Sequence, residues 1–316
     1  MIEVLSLTKR YGSTVAVDRI SFSVGEGRIA GFVGPNGAGK TTTLRILACF
    51  MPPTSGSATV AGRDVVRESL EVRRRIGYMP ENVPFYGEMR VGEYLHYRAK
   101  LKDVPTSERR RRVAEVMERC AIREVSGRLV GELSKGYRQR LGLADCLVHE
   151  PKIFILDEPT VGLDPSQIRE TRKLLKELAE RRTVLLSTHI LPEVEMICDD
   201  VILIHGGRIV VSDSLGRLLS GDGKVRLRLT VKGDVNAAER AVRAVAGVSA
   251  VERTSRGPEA AFRVEGAGEG LRERVSRAVT GSAAVIADLY EERRTLEDVF
   301  VETVGGKATG ESEAEG

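Results

Sequence analysis

The sequence predicts an α/β fold, a strand-and-helix core with a helical insertion followed by a small α+β domain, and three observations carry that reading. Near the start, Ile29-Ala30-Gly31-Phe32-Val33 reads as a strand that breaks into a glycine loop and then into a helical stretch over 41–47. From about 78 to 146 the strand pattern gives way to Arg-rich helical periodicity, and it returns as short apolar runs at 153–156, 184–187 and 201–204. Around 213–224 the composition shifts to Gly, Ser and Asp, and beyond it Val225, Leu227, Leu229 and Val231 alternate with Arg and Thr as a half-buried strand should.

The totals fit this division. At 316 residues the chain has room for one large domain and a smaller one, with a sizeable buried core. Hydrophobic residues at 41% and charged residues at 30% are ordinary for a globular protein. The formal charge of +4 is a small difference between 49 basic and 45 acidic residues, too weak to argue for a nucleic-acid partner, and none is expected. Cys49, Cys120, Cys146 and Cys198 form no CxxC pair, which fits free thiols in a reducing compartment. The opening Met1-Ile2-Glu3-Val4-Leu5-Ser6 lacks the basic and apolar regions of a signal peptide, and the apolar runs are far below spanning length. A cytoplasmic chain is expected, with any membrane role exercised through another polypeptide.

Within the insertion the periodicity predicts helices over 91–101, 107–121 and 135–148, and after the 153–156 strand a further helix over 168–181. Past the expected linker at 216–224, the segments read strand, helix, strand, strand, helix, strand, a βαββαβ sandwich over 225–305. Leu296, Val299, Phe300 and Val304 have helical spacing, and the tail 306–316, rich in Gly, Ser and Glu, has little to bury and is expected to be disordered.

Gly34-Pro35-Asn36-Gly37-Ala38-Gly39-Lys40-Thr41 matches GxxxxGK[ST], between a predicted strand and a predicted helix. Glycines let successive backbone N–H groups point at one phosphate, and the helix adds the positive end of its dipole. Lys40 would reach the β- and γ-phosphates, the Thr41 hydroxyl would hold Mg²⁺, and Thr42 completes the nucleotide-binding stretch. The bland alternative is a glycine turn before a helix.

Ile153-Phe154-Ile155-Leu156-Asp157-Glu158 is a continuous apolar run ending in two acids, as expected for a central parallel strand whose C-terminal end faces a ligand. Asp157 would bind Mg²⁺ and Glu158 would orient or deprotonate the attacking water. Val184-Leu185-Leu186-Ser187-Thr188-His189 is another buried run, ending in a histidine. Alone, such a His is a core residue; after the two preceding motifs it becomes a contact for the γ-phosphate. Tyr11 ahead of the loop could stack on adenine or simply pack.

Leu133-Ser134-Lys135-Gly136-Tyr137-Arg138-Gln139 resembles the signature motif that defines ABC ATPases. With Tyr11 as aromatic loop, Val161-Gly162-Leu163-Asp164 as D-loop and His189 as switch histidine, the resemblance covers about residues 1–215 and runs in the family's order. It implies a P-loop, RecA-like ATPase domain with a helical subdomain at about 78–146, using ATP and Mg²⁺. In that family two ATPase domains close head to tail, so Ser134 and Gly136 would complete a nucleotide site held by another copy or a homologue. The order of motifs, and Thr295-Leu296-Glu297-Asp298-Val299-Phe300 near the end, are similar to the exporter branch, whose permease is a separate chain. That implies a peripheral protein at the cytoplasmic face of the membrane. The 225–305 region, without glycine loop, His or metal-ligand spacing, is then regulatory or dimerising.

Two departures stand out: Lys135 and Tyr137 replace the commonest Gly and Gln of the signature, and Glu81 replaces the Gln that touches Mg²⁺ and faces the permease. A carboxylate at 81 can also ligate Mg²⁺. Arg109-Arg110-Arg111-Arg112, flanked by Glu108 and Glu115 without aromatics, reads as a solvated helix face. The alternative function is a soluble ABC ATPase acting on the ribosome or DNA. A non-hydrolysing scaffold is argued against by the intact Lys40, Asp157, Glu158 and His189 set.

Overall fold

Alternating apolar residues make an antiparallel pair of β1 (Ile2–Tyr11) and β2 (Thr14–Val24), with Ile2, Val4, Val17 and Val24 buried. The chain then runs through β3 (Ile29–Val33), a loop, α1 (Lys40–Leu47), β4 (Ser55–Val60), β5 (Arg63–Asp64), α2 (Ser69–Arg75) and β6 (Ile76–Met79). The insertion consists of α3 (Val91–Leu101), α4 (Thr106–Arg119) and α5 (Lys135–Leu147). The core resumes with β7 (Ile153–Asp157), α6 (Pro165–Ala179), β8 (Thr183–Thr188), α7 (Leu191–Ile197), β9 (Asp200–His205), β10 (Arg208–Ser214) and α8 (Leu215–Ser220). This is the computed structural model of the chain; it describes residues 1–220, 224–255, 259–292 and 294–308. Contacts divide it into one unit, Met1–Leu215 with the chain from Phe300 onward, and a second, Gly216–Val299.

In the first unit β1, β2, β4 and β5 form an antiparallel sheet in the order β2-β1-β4-β5. The second sheet has the order β10-β9-β3-β8-β7-β6, parallel throughout except for β10 at its edge. Every residue of β3, β7 and β8 is buried, which is why these strands are continuous apolar runs. The fully buried Leu44, Ile46 and Leu47 of α1 join one apolar cluster with residues of both sheets. Burying each stabilises the fold by about 1.5–3 kcal/mol. Parallel pairing puts the C-terminal ends of β3, β7, β8 and β6 along one edge, and the loops that leave there build the site.

The strand β6 corrects the expected start of the helical insertion at about 78. Ile76 to Met79 pair in register with Ile153 to Leu156, so Tyr78 and Met79 belong to the core. A four-residue strand containing Gly77 beside Pro80 leaves too short a pattern to read. In the insertion, Asp145 of α5 is buried and pairs with Arg98 at 2.9 Å and Lys102 at 3.0 Å, tying α5 to α3 and its C-cap. Burial pushes this carboxyl up, but the two cations hold it below the usual carboxylate range.

In the second unit β11 (Lys224–Gly233), α9 (Val235–Arg243), β12 (Val248–Arg253), β13 (Glu259–Ala267), α10 (Leu271–Thr280) and β14 (Ala284–Glu291) build an antiparallel sheet in the order β12-β13-β11-β14. Leu227, Leu229, Phe262, Val264, Val275 and Val279 are among its buried core. Two expectations need correction. The segment 216–224 is not simply a linker, because α8 reaches Ser220: Leu215, Leu218 and Leu219 have helical spacing that outweighs the Gly/Ser composition. The tail does not begin at 306, because α11 (Leu296–Ala308) runs through it from a reciprocal start, Thr295 N–H and Oγ1–H donating to Asp298 Oδ2 and Asp298 N–H to Thr295 Oγ1. Residues 309–316 lie outside the described residues. No described helix is long and apolar enough to cross a membrane.

Candidate nucleotide site

The loop between β3 and α1 is held by close backbone approach. At Gly34 a Cβ would stand 2.1 Å from the Ile204 carbonyl oxygen. At Gly39, the N-cap of α1, φ is 104°, and a Cβ would come within 2.6 Å of the Ala16 carbonyl oxygen. No acid lies in the first turn of α1, so the positive end of its dipole is unopposed from within. Lys40 is only 6% exposed, and its ammonium donates to the carbonyls of Gly34 at 2.7 Å and Pro35 at 3.3 Å.

A cleft of about 390 Å³ opens over this loop. From the loop and helix it is lined by Asn36, Gly37, Gly39, Lys40, Thr41 and Thr42; Glu81, Glu158 and His189 line its other walls, with Ala16 and Val161. Nine of the candidate residues therefore share one cavity. Gly34 and Pro35 stand behind it as acceptors for Lys40, and Ala38 is buried.

Glu158 follows β7 in the left-handed region at φ 50°, a conformation that costs a non-glycine residue of order 1–3 kcal/mol. Its N–H donates to the Ser187 Oγ at 3.1 Å, while Gln139 Nε2–H reaches the carbonyls of Glu158 at 3.2 Å and Pro159 at 3.0 Å. The carboxylate, 6% exposed, lies 3.0 and 3.1 Å from His189 Nδ1 and 3.7 Å from Lys40 Nζ. A carboxylate and an imidazole from the ends of β7 and β8 thus converge with the ammonium that opens α1.

Asp157 is fully buried, and its Oδ1 accepts from Ser187 Oγ at 2.6 Å. Its Oδ2 is buried with no hydrogen-bond partner among the described residues. An orphaned carboxylate oxygen under a cleft that also carries the Thr41 hydroxyl and Glu81 suits a hard, oxygen-seeking cation. Among the described residues no cluster of three His, Cys, Asp or Glu could hold a metal unaided. Mg²⁺ needs no such cage, since it binds through one or two carboxylates plus phosphates and water.

Besides Gly34, Pro35, Ala38 and Asp157, which adjoin the cleft residues in sequence, three candidates are absent from its lining. Tyr11 is 46% exposed, its hydroxyl meets Met51 Sδ at 3.0 Å, and Lys9 lies 5.5 Å from the ring centroid. Ser134 caps α5, accepting from the Tyr137 N–H at 3.4 Å, and Gly136 is buried against Gln167. Ser187 and Ala16 are not singled out by the sequence, and Gln139 and Val161 enter it only as members of the signature and D-loop motifs. Ser187 could have been found from its place in the strand that ends at His189; Gln139 acts only through a tertiary contact.

A family model described as ABC transporter matches residues 17–161. The chain is 41% identical over 212 residues to the bacitracin transport ATP-binding protein BcrA of Bacillus licheniformis, covering 66% of this chain and 68% of that one. It is 34% identical over 318 aligned positions to the uncharacterized ABC transporter ATP-binding protein YdbJ of Bacillus subtilis, covering 100% and 97%. Among solved structures it resembles the dimeric post-hydrolysis state of the ATP-binding cassette MJ0796 bound to ADP and Pi, with a TM-score of 0.63, 25% identity, and 68% and 99% of the two chains covered.

Proposed function

The chain belongs to the ABC transporter ATP-binding family, and from that premise we propose that it is the ATP-hydrolysing subunit of an exporter, driving a separate membrane-spanning permease. The observation that carries the site assignment is the convergence of Lys40, Glu158 and His189 in one cleft over a phosphate loop.

ATP binds with its phosphates on the loop amides from Asn36 to Thr42 and on the N-terminus of α1. Lys40 exchanges its carbonyl partners for the β- and γ-phosphates. Glu158 accepts the proton of the attacking water, and His189 holds the carboxylate in place and faces the γ-phosphate. Mg²⁺, held through Thr41, Asp157 and Glu81, would neutralise phosphate charge. Tyr11 offers its exposed ring to the adenine.

Ser134 and Gly136 are absent from the chain's own cleft and are assigned to the nucleotide of a second ATPase subunit, identical or homologous. That arrangement supports closure on ATP and reopening after hydrolysis, which the helical insertion passes to the permease. The membrane is then met at its cytoplasmic face through the permease. Export as the direction is favoured by relatives named for bacitracin transport and linearmycin resistance. The unit Gly216–Val299 is assigned a regulatory or dimer-stabilising role.

The test is Glu158→Gln, which keeps the size of the side chain and removes the base. ATP binding should persist, turnover should fall by about 10²–10⁴, and size-exclusion chromatography with ATP should show an accumulated dimer. A Glu158→Gln protein that stays monomeric and hydrolyses normally refutes the assignment.

A further inference from the structure

A glutamate in the first turn of a helix favours the dipole from solvent and has no need of burial. Glu193, in the first turn of α7, is nevertheless only 5% exposed. A carboxylate taken out of water has to be paired and hydrogen-bonded, so its partners show what it holds. Its Oε2 accepts from the Thr160 Oγ1–H at 2.6 Å, and its Oε1 lies 3.4 Å from Nη2 of Arg172 in α6.

These partners set Glu193 between the two loops that carry the reacting groups. Thr160, itself buried, stands two residues after Glu158, and Glu193 stands four after His189. Each is fixed to its loop by the backbone: the Val161 N–H donates to the Glu158 carbonyl at 3.2 Å, the Glu193 N–H to the Ile190 carbonyl at 3.1 Å, and the Ile190 N–H to Thr188 Oγ1 at 3.1 Å. Pairing between β7 and β8 runs to Asp157 and Ser187, and the Glu158 N–H extends it by donating to the Ser187 carbonyl at 3.2 Å. His189 lies past that point, where the Thr160–Glu193 bond ties the two loops together.

We infer that Glu193 is a positioning residue for ATP hydrolysis: through Thr160 it clamps the loop after β7 to the loop after β8, and so sets the distance between Glu158 and His189. Arg172 neutralises the buried carboxylate and turns it toward Thr160, while its own Nη1 is held by Met196 Sδ at 2.8 Å, a turn further along α7. A hydrogen bond to a charged acceptor is shorter and stronger than a neutral one, which suits a clamp that has to keep a 3.0 Å approach. The inference deepens the ATPase reading and rests on it.

The experiment follows steady-state ATP hydrolysis and the affinity for a fluorescent ATP analogue in the full chain. Thr160→Val keeps the shape of the side chain and removes the donor; kcat should fall by about 10–100-fold, the cost of a catalytic group displaced by up to about 1 Å, with analogue affinity unchanged because the phosphate loop is untouched. Thr160→Ser keeps the hydroxyl and should restore turnover. Glu193→Gln keeps an acceptor for Thr160 but loses the attraction for Arg172, so its kcat should lie between the two, and it carries the test if Thr160→Val does not fold. The double variant should be no slower than Thr160→Val alone, since the tie is already cut. A merely structural bond would lower the urea midpoint while the folded Thr160→Val protein turned over normally, and that result overturns the inference. So does a Thr160→Ser protein as slow as Thr160→Val, or a loss of affinity equal to the loss of turnover. An unaltered chain that fails to bind the analogue or to hydrolyse ATP overturns the ATPase reading and this inference with it.

Discussion

Met1–Leu215 buries Lys40, Gln139, Asp145, Asp157, Glu158 and Glu193, whereas the buried side chains described in Gly216–Val299 are all apolar. In the second unit charge stays at the surface of the sheet, where Arg226 meets Glu265 at 3.2 Å and Arg263 meets Glu292 at 3.2 Å. Partly exposed pairs of this kind are worth about 0–1 kcal/mol each. In the first unit the polar groups are costly: Asp157 Oδ2 is unpartnered, and Glu158 is held at positive φ. Ionisable side chains buried together at the end of β7, one of them with an orphaned oxygen and its neighbour at positive φ, mark the first unit as organised around chemistry and the second as organised around packing.

The sharpest break of that comparison sets Phe262 against Lys40. Phe262→Ala should cost the second unit about 3–5 kcal/mol, seen as a lower unfolding midpoint in calorimetry, with ATP affinity unchanged. Lys40→Ala should do the reverse, removing about 2–5 kcal/mol of nucleotide affinity by isothermal titration while the second unit unfolds as before. Loss of ATP binding in a folded Phe262→Ala protein would show that the two units are not separable in this way.

The same contrast governs what the sequence discloses. Central strands are legible because burial on both faces makes β7 and β8 unbroken apolar runs, and the phosphate loop is legible because all its parts are neighbours in sequence. The strand β6 is not legible, since four residues around Gly77 have no periodicity of their own and are fixed only by pairing with β7. Glu158 and His189 can each be picked out as a polar residue ending an apolar run. Their 3.0 Å approach depends on β7 and β8 being adjacent and in register, a property of the sheet order. Gln139 reaches the carbonyls of Glu158 and Pro159, and Ser187 reaches Asp157 and Glu158, through contacts across the fold that the sequence does not show.

A second break concerns His149, a half-buried polar residue of the first unit away from the cleft. Nε2 lies 2.9 Å from the Ile76 carbonyl, Nδ1 has no partner among the described residues, and burial, helped by the Lys102 charge, brings its pKa down to about 4. The folded value lies below the unfolded one, so the unfolded chain binds more protons between them and stability falls as pH drops below about 6.5. Between pH 7.5 and 5 this group should remove about 2 kcal/mol. Urea unfolding of the unaltered chain and His149→Leu at both pH values checks it: the variant should lose less on acidification, whatever its stability at neutral pH. Equal losses would mean that His149 is already charged or hydrated in the fold.

The smallest effect on stability distinguishes two residues with the same local role. Asp234 caps α9, accepting from the Ala237 N–H at 2.9 Å, and Ser134 caps α5, accepting from the Tyr137 N–H at 3.4 Å. Removing a well-formed cap costs about 1 kcal/mol, so Asp234→Ala should lower the second unit's stability by that much and leave turnover alone. The longer Ser134 bond is weaker, and Ser134→Ala should cost only about 0.5 kcal/mol. A pure cap would then leave ATPase activity unchanged too. If Ser134 meets the phosphate held by a second subunit, however, Ser134→Ala should reduce turnover and ATP-driven dimer formation out of proportion to its stability cost, and Ser134→Asp, which preserves the cap, should fail to restore either because it sets a carboxylate against phosphate. Chemical denaturation read beside turnover in the three variants decides between them: a Ser134→Ala protein as active as Asp234→Ala would place α5 with α9, as a helix whose start serves only the fold.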